Sequence, residues 1–152
     1  MTREQALREA AAGLLTGTNA GANVFPMRWE PSNEADLPAI CIYTVDSPAE
    51  NVPGDLGEKR TVGVDVVLYA SGPRTPAAPE SSADYQLDAL REQVEAILNV
   101  MYDFWGLSGY SRKTYKGFKI KTNLDQNPKA ERLTLAAILR YEFEYFYENQ
   151  GA

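Results

Sequence analysis

The feature that most constrains this chain is a long alternating stretch at residues 131–147, ERLTLAAILRYEFEYFY. Read with a period of two, its apolar side chains fall on one side, where Leu139, Tyr141, Phe143 and Tyr145 follow one another. Because successive side chains of a strand point to opposite faces of a sheet, this alternation predicts a strand with one buried face. About fifteen residues span ~50 Å, whereas a compact chain of this size is only about 40 Å across. The strand therefore either bends within its own domain or carries its aromatic end to another subunit.

Composition excludes several classes of function. A chain of 152 residues predicts a single domain covering 1–152, and its net charge of -6 argues against a general nucleic-acid binder. The sequence contains no histidine, which excludes Ser-His-Asp and Cys-His nucleophiles and histidine-ligated metal sites. It also lacks a P-loop, a CxxC pair and a GxGxxG fingerprint. We therefore predict no catalytic residue, no metal and no cofactor.

Targeting signals and cysteine usage favour a protein that folds in the cytoplasm. Residues 1–15 lack the basic start and apolar core of an export signal, and no apolar run is long enough to span a membrane. The single Cys41 excludes an internal disulfide and fits a reducing compartment. We expect no membrane partner.

Helical and extended patterns alternate along the rest of the chain. Thr2 and Gln5 form a capping box that opens an amphipathic helix, and a second helical stripe begins at Asp84. Extended, apolar or alternating patterns predict the other strands. The predicted elements are a helix at 2–15, strands at 24–25, 39–45 and 60–70, a helix at 84–102, and strands at 115–123 and 131–147.

Clustered strands with too few helices for βαβ units predict an α+β fold. We expect a mostly antiparallel or mixed β-sheet with two α-helices packed on one face, in the order α-β-β-β-α-β-β. Two polar stretches rich in proline and glycine, 46–59 and 71–83, predict mobile loops. The aromatic connection at 104–110 is interpreted as a plug over the sheet edge or as an exposed contact patch.

Several short phrases and the order of the elements resemble a known family. VFPMR at 24–28, DLPAICIYT at 36–44 and KRT at 59–61 precede the helix at 87–98, and YEFEY at 141–145 closes the final hairpin. This pattern resembles the tail terminator (minor tail protein U) family of long-tailed bacteriophages. The resemblance covers most of the chain and rests on no single invariant motif.

The resemblance implies a structural protein of a phage or prophage, without catalysis or cofactor. Such a subunit assembles as a homo-hexameric ring that caps the tail tube, terminates tail polymerisation and offers the head-tail joining surface. The implied partners are other copies of the chain, the tail tube protein and a head-tail connector or completion protein. DNA passes through the lumen without specific binding, and the implied location is the tail-neck region of the virion, with the host cytoplasm before assembly.

A cyclic ring needs two different complementary surfaces on each subunit. The acidic loop at 50–58 with Arg60 beside it, and the aromatic end at 145–147, are the predicted candidates. Exposed edge strands also invite pairing, so the hairpin at 115–147 could extend a sheet across subunits. The complete set of candidate interface residues is Glu50, Asp55, Glu58, Arg60, Asp65, Glu142, Glu144, Tyr145, Phe146 and Tyr147.

Two other interpretations remain open from the sequence. The first is another phage neck component, such as a head-completion or connector protein. The second is a small enzyme or ligand-binding module that uses Asp65, Glu142 and Glu144. Glu142 and Glu144 are two residues apart on one strand face, ~7 Å from each other, a spacing at which carboxylates could bind a cation or perform acid-base chemistry.

Overall fold

The fold was analysed in a computed structural model that describes residues 1–17, 23–27, 37–46, 50–51, 58–100, 103–121 and 132–147. These residues form two α-helices, a short 3-10 helix at Pro79–Ser81 and six strands. In chain order these are α1 (Arg3–Leu15), β1 (Asn23–Phe25), β2 (Ala39–Asp46), β3 (Glu50–Asn51), β4 (Glu58–Pro73), α2 (Ala83–Leu98), β5 (Arg112–Lys121) and β6 (Arg132–Tyr147).

The strands form one mixed sheet in the order β1-β2-β4-β6-β5, and the two-residue β3 also pairs with β4. β1 runs parallel to β2, and all other neighbours are antiparallel. The predicted α+β class and order of elements are confirmed. β6 pairs with β4 along its whole length of 16 residues, so the long final strand is accommodated within its own subunit.

Both helices pack on one face of the sheet, as predicted. Alternate residues of β2, β4 and β6 face them, for example Ile42, Val66 and Leu139, which lie side by side on three neighbouring strands. The helices contribute Leu7, Leu15 and a stripe along α2 to this core. The buried stripe of α2 consists of Ala83, Leu87, Leu90, Val94 and Leu98.

The capping signals explain where the helices begin. The Thr2 hydroxyl accepts a hydrogen bond from the Gln5 amide at 3.1 Å, and the Ser82 hydroxyl accepts one from the Tyr85 amide at 3.3 Å. Each cap satisfies one of the backbone donors that the first helical turn leaves unpaired.

The first half of β2 is buried on both faces, consistent with its apolar sequence. Ile40 and Ile42 face the helices, whereas Ala39 and Cys41 belong to a second apolar cluster on the opposite face. That cluster continues across the sheet through β4 and β6. This face, on which none of the described helices packs and which we call the helix-free face, is therefore apolar at one end. Its other buried members are Val67, Tyr69 and Ala136.

Trp105 closes the core between the end of α2 and β6. Its ring makes edge contacts with Tyr141 and Phe143, at centroid distances of 5.3 and 4.6 Å. Its indole N–H donates a 3.1 Å hydrogen bond to the Leu98 carbonyl, one of those that a helix end leaves unpaired. The prediction that the aromatic connection plugs the sheet is confirmed for this residue.

Lys113 of β5 fixes the same helix end. Its ammonium group donates to the carbonyls of Leu98 and Val100, at 3.0 and 2.7 Å. A cation at this position also interacts favourably with the negative end of the helix dipole. α2 therefore ends at Leu98, four residues before the predicted boundary at 102.

The connection before α2 is shorter than the predicted loop at 71–83. β4 continues to Pro73 and α2 begins at Ala83, and both Ser71 and Ala83 are buried. The alternating pattern of β4 was lost at Ser71-Gly72-Pro73 in the sequence, although the backbone still pairs there with β6. The mobility of this loop stays a prediction, as does that of 46–59, most of which lies outside the described residues.

Substituting Gly72 should destabilise the fold. A Cβ atom at this position would lie 2.6 Å from the Ala83 amide nitrogen and 2.8 Å from the Ser81 carbonyl oxygen, both of them backbone atoms. We expect Gly72→Ala to lower the free energy of unfolding by about 2 kcal/mol or more, because the start of α2 must move.

The matched control is Gly13→Ala in α1, where nothing lies within 4 Å of the added methyl group. That change should instead stabilise by roughly 0.5–1 kcal/mol, through higher helix propensity. Urea unfolding of both variants checks the pair, and equal effects would contradict the close approach at Gly72.

Tyr141 should make stability fall at high pH. Its ring is fully buried, its hydroxyl donates to the Asn99 side chain, and burial raises the pKa of Tyr141 above its usual value of 10.0. The unfolded chain therefore releases this proton near pH 10 while the folded chain keeps it, so stability is present below that pH and is lost above it. We expect Tyr141→Phe to show a shallower decline in a pH series of thermal unfolding. Burial also raises the pKa of Tyr110 and Tyr115, so part of the decline should persist. A control at the exposed Tyr85, Tyr85→Phe, should leave the slope unchanged.

Candidate subunit interface

The helix-free face of the sheet carries a charged end next to its apolar cluster. Its central interaction joins Asp65 of β4 to Arg140 of β6, which lie directly opposite each other. The guanidinium group binds both carboxylate oxygens, with an Nη2–Oδ2 distance of 2.8 Å for one bond and a shorter Nε–Oδ1 contact for the other. The carboxylate raises the pKa of Arg140 through this hydrogen bond, as expected for a bidentate pair.

Burial is unequal within this pair. Asp65 is only 4% exposed, whereas the Arg140 side chain is 40% exposed. The Asp65 carboxylate is therefore shielded from solvent, because the guanidinium group covers it. Any surface that includes Asp65 presents Arg140 to its partner.

Glu142 and Glu144 lie on the same face, as the alternation predicted, and each has its own lysine. Lys59 of β4 approaches Glu144 at 3.4 Å, and Lys116 of β5 approaches Glu142 at 3.9 Å. The two carboxylates thus interact with cations from opposite neighbouring strands. This arrangement is typical of cross-strand ion pairs that support a sheet surface.

These pairings bear on the enzyme interpretation. A carboxylate pair that binds a cation or shares a proton needs the two groups turned toward one site, and here each is paired with a lysine. Within the described ranges, no three His, Cys, Asp or Glu side chains are grouped closely enough to hold a metal ion. No helix among the described residues is both long and apolar enough to cross a membrane.

The aromatic end of β6 divides between the two faces. Tyr145 faces the helices and is largely buried, with the Arg3 guanidinium carbon 4.0 Å from its ring centroid. The same guanidinium lies 4.9 Å from the ring centroid of Tyr110. Phe146 points to the other face and is 52% exposed, so it is available for contact; the side chain of Tyr147 lies outside the described part of the chain.

The remaining predicted residues are placed by the backbone register. Glu58 and Arg60 of β4 lie opposite Tyr147 and Tyr145, and Glu50 of β3 lies opposite Lys59. Asp55 lies outside the described residues. The described backbone of the acidic segment and the aromatic end of β6 therefore lie on adjacent strands.

β5 contributes none of the individually predicted interface residues, although the predicted hairpin at 115–147 includes most of it. It lies at one edge of the sheet and carries five cationic residues and no acidic one: Arg112, Lys113, Lys116, Lys119 and Lys121. A count of charges over RKTYKGFKIK in an acidic chain would have identified it. The role of Arg3 over Tyr145 had no comparable signal, because it depends on tertiary packing.

Comparison with known proteins adds no further identification. No family model matches this sequence, and no curated protein matches it at a significant level.

Removing either partner of the Asp65–Arg140 pair should have unequal effects on stability. Arg140→Ala leaves a buried carboxylate unpaired, so we expect a loss of about 3–5 kcal/mol in the free energy of unfolding. Asp65→Ala leaves an arginine that already reaches water, so a smaller loss of about 1–3 kcal/mol is expected. Chemical denaturation of both variants gives the comparison, and the double variant Asp65→Leu/Arg140→Met should recover most of the loss. A larger loss for Asp65→Ala would contradict the unequal burial.

Proposed function

We propose that this chain is a structural subunit of a phage or prophage tail, which assembles into a hexameric ring that caps the tail tube. The ring terminates tail polymerisation and provides the surface for head-tail joining. The observation that carries the proposal is a sheet with both described helices on one face, whose other face presents an ordered array of cross-strand ion pairs beside the edge strand β5.

That array favours a structural role over a catalytic one. Catalytic carboxylates and lysines are arranged so that neighbours shift their pKa values toward the working pH. In this protein the carboxylates of Asp65, Glu142 and Glu144 are each paired with a separate cation across the strands. Such pairs orient side chains on a surface, which suits recognition of another protein.

The difference between the two sides of the sheet supports the proposal of a ring. A closed ring of identical copies needs a heterologous contact, in which one surface of a copy meets a different surface of the next. One side of this sheet ends in β1, β2 and β3, and the other ends in β5. The two sides differ in length, charge and strand direction, so a head-to-tail contact between them is heterologous.

The proposed partners are the tail tube protein on one side of the ring and a head-tail connector or completion protein on the other. The net charge of -6 is consistent with a lumen through which DNA moves without specific binding, because like charges do not adhere. In this proposal the ring binds its protein partners specifically and does not bind DNA specifically.

Native mass tests the ring directly. Light scattering over a concentration series should reveal a species of six times the 16.8 kDa subunit mass, and negative-stain images of that species should show a ring with a central hole. High salt should shift the equilibrium toward monomers, because exposed charges are screened. A chain that stays monomeric at every concentration, and that neither caps isolated tail tubes nor halts their growth, would rule out the proposal.

A further inference from the structure

The two described helices do not cover the whole width of the sheet. α1 lies mainly over β2, and α2 lies over β4 and β6, so β5 is left to one side of the helix layer. Phe118 and Ile120 of β5 point to the helix side, because they lie opposite Leu139 and Ala137 of the core. Their side chains are 39% and 41% exposed. The helix side of β5 is therefore an apolar surface that neither described helix covers.

The spacing of the elements leaves room for one more helix at this place. Neighbouring strands are ~4.8 Å apart, so β5 lies roughly 7 Å to the side of the midpoint between β4 and β6, above which α2 packs. The axes of packed helices are about 8–10 Å apart. A helix packed beside α2 at this distance therefore lies above β5 and covers Phe118 and Ile120.

The flank of α2 beside this surface is acidic. Its acidic residues recur at spacings of three or four, which places them along one side of the helix. They are Asp84, Asp88, Glu92 and Glu95. Arg91 shows that this side is turned toward β5, because its guanidinium group lies over the ring of Phe118. We call the space between this flank and the helix side of β5 the lateral groove.

Most of the acidic charge in the lateral groove has no partner within the described part of the chain. Arg91 pairs with Glu95 at 2.5 Å, whereas the exposed Asp84, Asp88 and Glu92 form no ion pair with any described residue. Asp88 and Glu92 line an open depression of about 430 Å³ together with the paired residues. A ligand in the groove thus meets an apolar floor and an acidic wall.

The lysines in the middle of β5 do not neutralise this wall. Lys116 points to the helix-free face, where it pairs with Glu142, and Lys119 lies opposite Ile138 on the same face. The cations of this part of β5 and the acidic wall are therefore on different faces of the sheet.

We propose that the lateral groove binds a basic amphipathic helix of another protein. Apolar side chains of that helix cover Phe118 and Ile120, and its lysine or arginine side chains, spaced three or four residues apart, pair with Asp84, Asp88 and Glu92. Laying the apolar side of a helix into such a groove is a common mode of peptide recognition. The inference does not depend on the proposed ring.

Other ligands match the groove less well. A polyanion such as nucleic acid is repelled by the acidic wall. The two described helices of a second copy do not qualify, because α1 and α2 bury their apolar sides in the core of their own subunit. The combination of an apolar floor with unpaired carboxylates favours a separate, basic helix.

Binding of a designed peptide tests the groove. The probe is a fluorescent peptide of about 18 residues, ~27 Å long as a helix, with leucine along one side and lysine on the other. A control peptide keeps the leucines and has glutamate in place of every lysine. Fluorescence anisotropy should show that the wild-type chain binds the basic peptide at least roughly tenfold more tightly than the acidic one. The affinity for the basic peptide should fall as the salt concentration rises.

A single charge reversal locates the acidic wall. Asp88→Lys should weaken binding of the basic peptide by roughly five- to tenfold, because a carboxylate partner is replaced by a like charge. Glu9→Lys makes the same change at an exposed position of α1, and the affinity should stay within about twofold of the wild-type value.

A second variant tests the apolar floor. Phe118→Gln/Ile120→Gln should weaken binding by roughly tenfold or more, because the apolar contact area is lost. Phe146→Gln alters an exposed aromatic side chain on the helix-free face and should leave the affinity unchanged. Circular dichroism establishes that each variant is folded, and Asp88→Lys alone decides the question if the floor variant is not.

The outcomes separate this inference from the ring. A basic peptide that does not bind, or that binds the wild-type chain and the groove variants equally, would overturn the groove and leave the ring proposal intact. Loss of the hexamer in Asp88→Lys but not in Glu9→Lys would make the groove a contact between copies of this chain, which overturns the separate helical partner. A wild-type chain that forms no ring would overturn the ring proposal alone, because peptide binding is measured equally well on a monomer.

Discussion

The pairing of β4 with β6 is the interaction on which the rest of the structure depends. Sixteen residues of each strand lie side by side, and the two strands supply most of the sheet surface that both helices cover. All other strands are attached to this pair, with β2 and β3 on the β4 side and β5 on the β6 side. The two sides of the subunit are therefore held at a fixed separation by one continuous ladder of backbone hydrogen bonds. The proposed ring, in which each subunit contacts identical neighbours on both sides, needs such a rigid centre.

Much of this fold could be predicted from period-two patterns, because burial of one face imposes them residue by residue. Val62, Val64 and Val66 in β4 and Leu139, Tyr141 and Phe143 in β6 all face the helices as expected. Pattern reasoning fails where the chain stays paired without alternating, as at Ser71–Pro73, and where a tertiary contact ends a helix. α2 ends at Leu98 because Trp105 and Lys113 bind its last carbonyls, and neither contact is visible in the local sequence.

The candidate site was predictable only in part. Alternation places Asp65, Glu142 and Glu144 on the helix-free face, and the register confirms that placement. Their partners could not be foreseen, because the pairing of Asp65 with Arg140 joins residues 75 positions apart and depends on the exact strand register. The register also places Glu58 and Arg60 of β4 opposite Tyr147 and Tyr145 of β6, a neighbourhood that the sequence does not show because the two strands are far apart in the chain. Conversely, the cationic character of β5 is evident in the sequence, but its position at the edge of the sheet is known only from the structure.

The order of the strands along the chain has a consequence for the timing of assembly. β4 lies centrally in the sheet, but its partner β6 follows more than fifty residues later, after α2 and β5. Contacts of such long sequence separation form late, because the chain must lose much conformational entropy before they are made. β5 has no strand to pair with until β6 has been synthesised, so a nascent chain cannot present both sides of the sheet in their final relation. If the chain forms the proposed ring, growing polypeptides on neighbouring ribosomes cannot join one another before each has completed its own sheet.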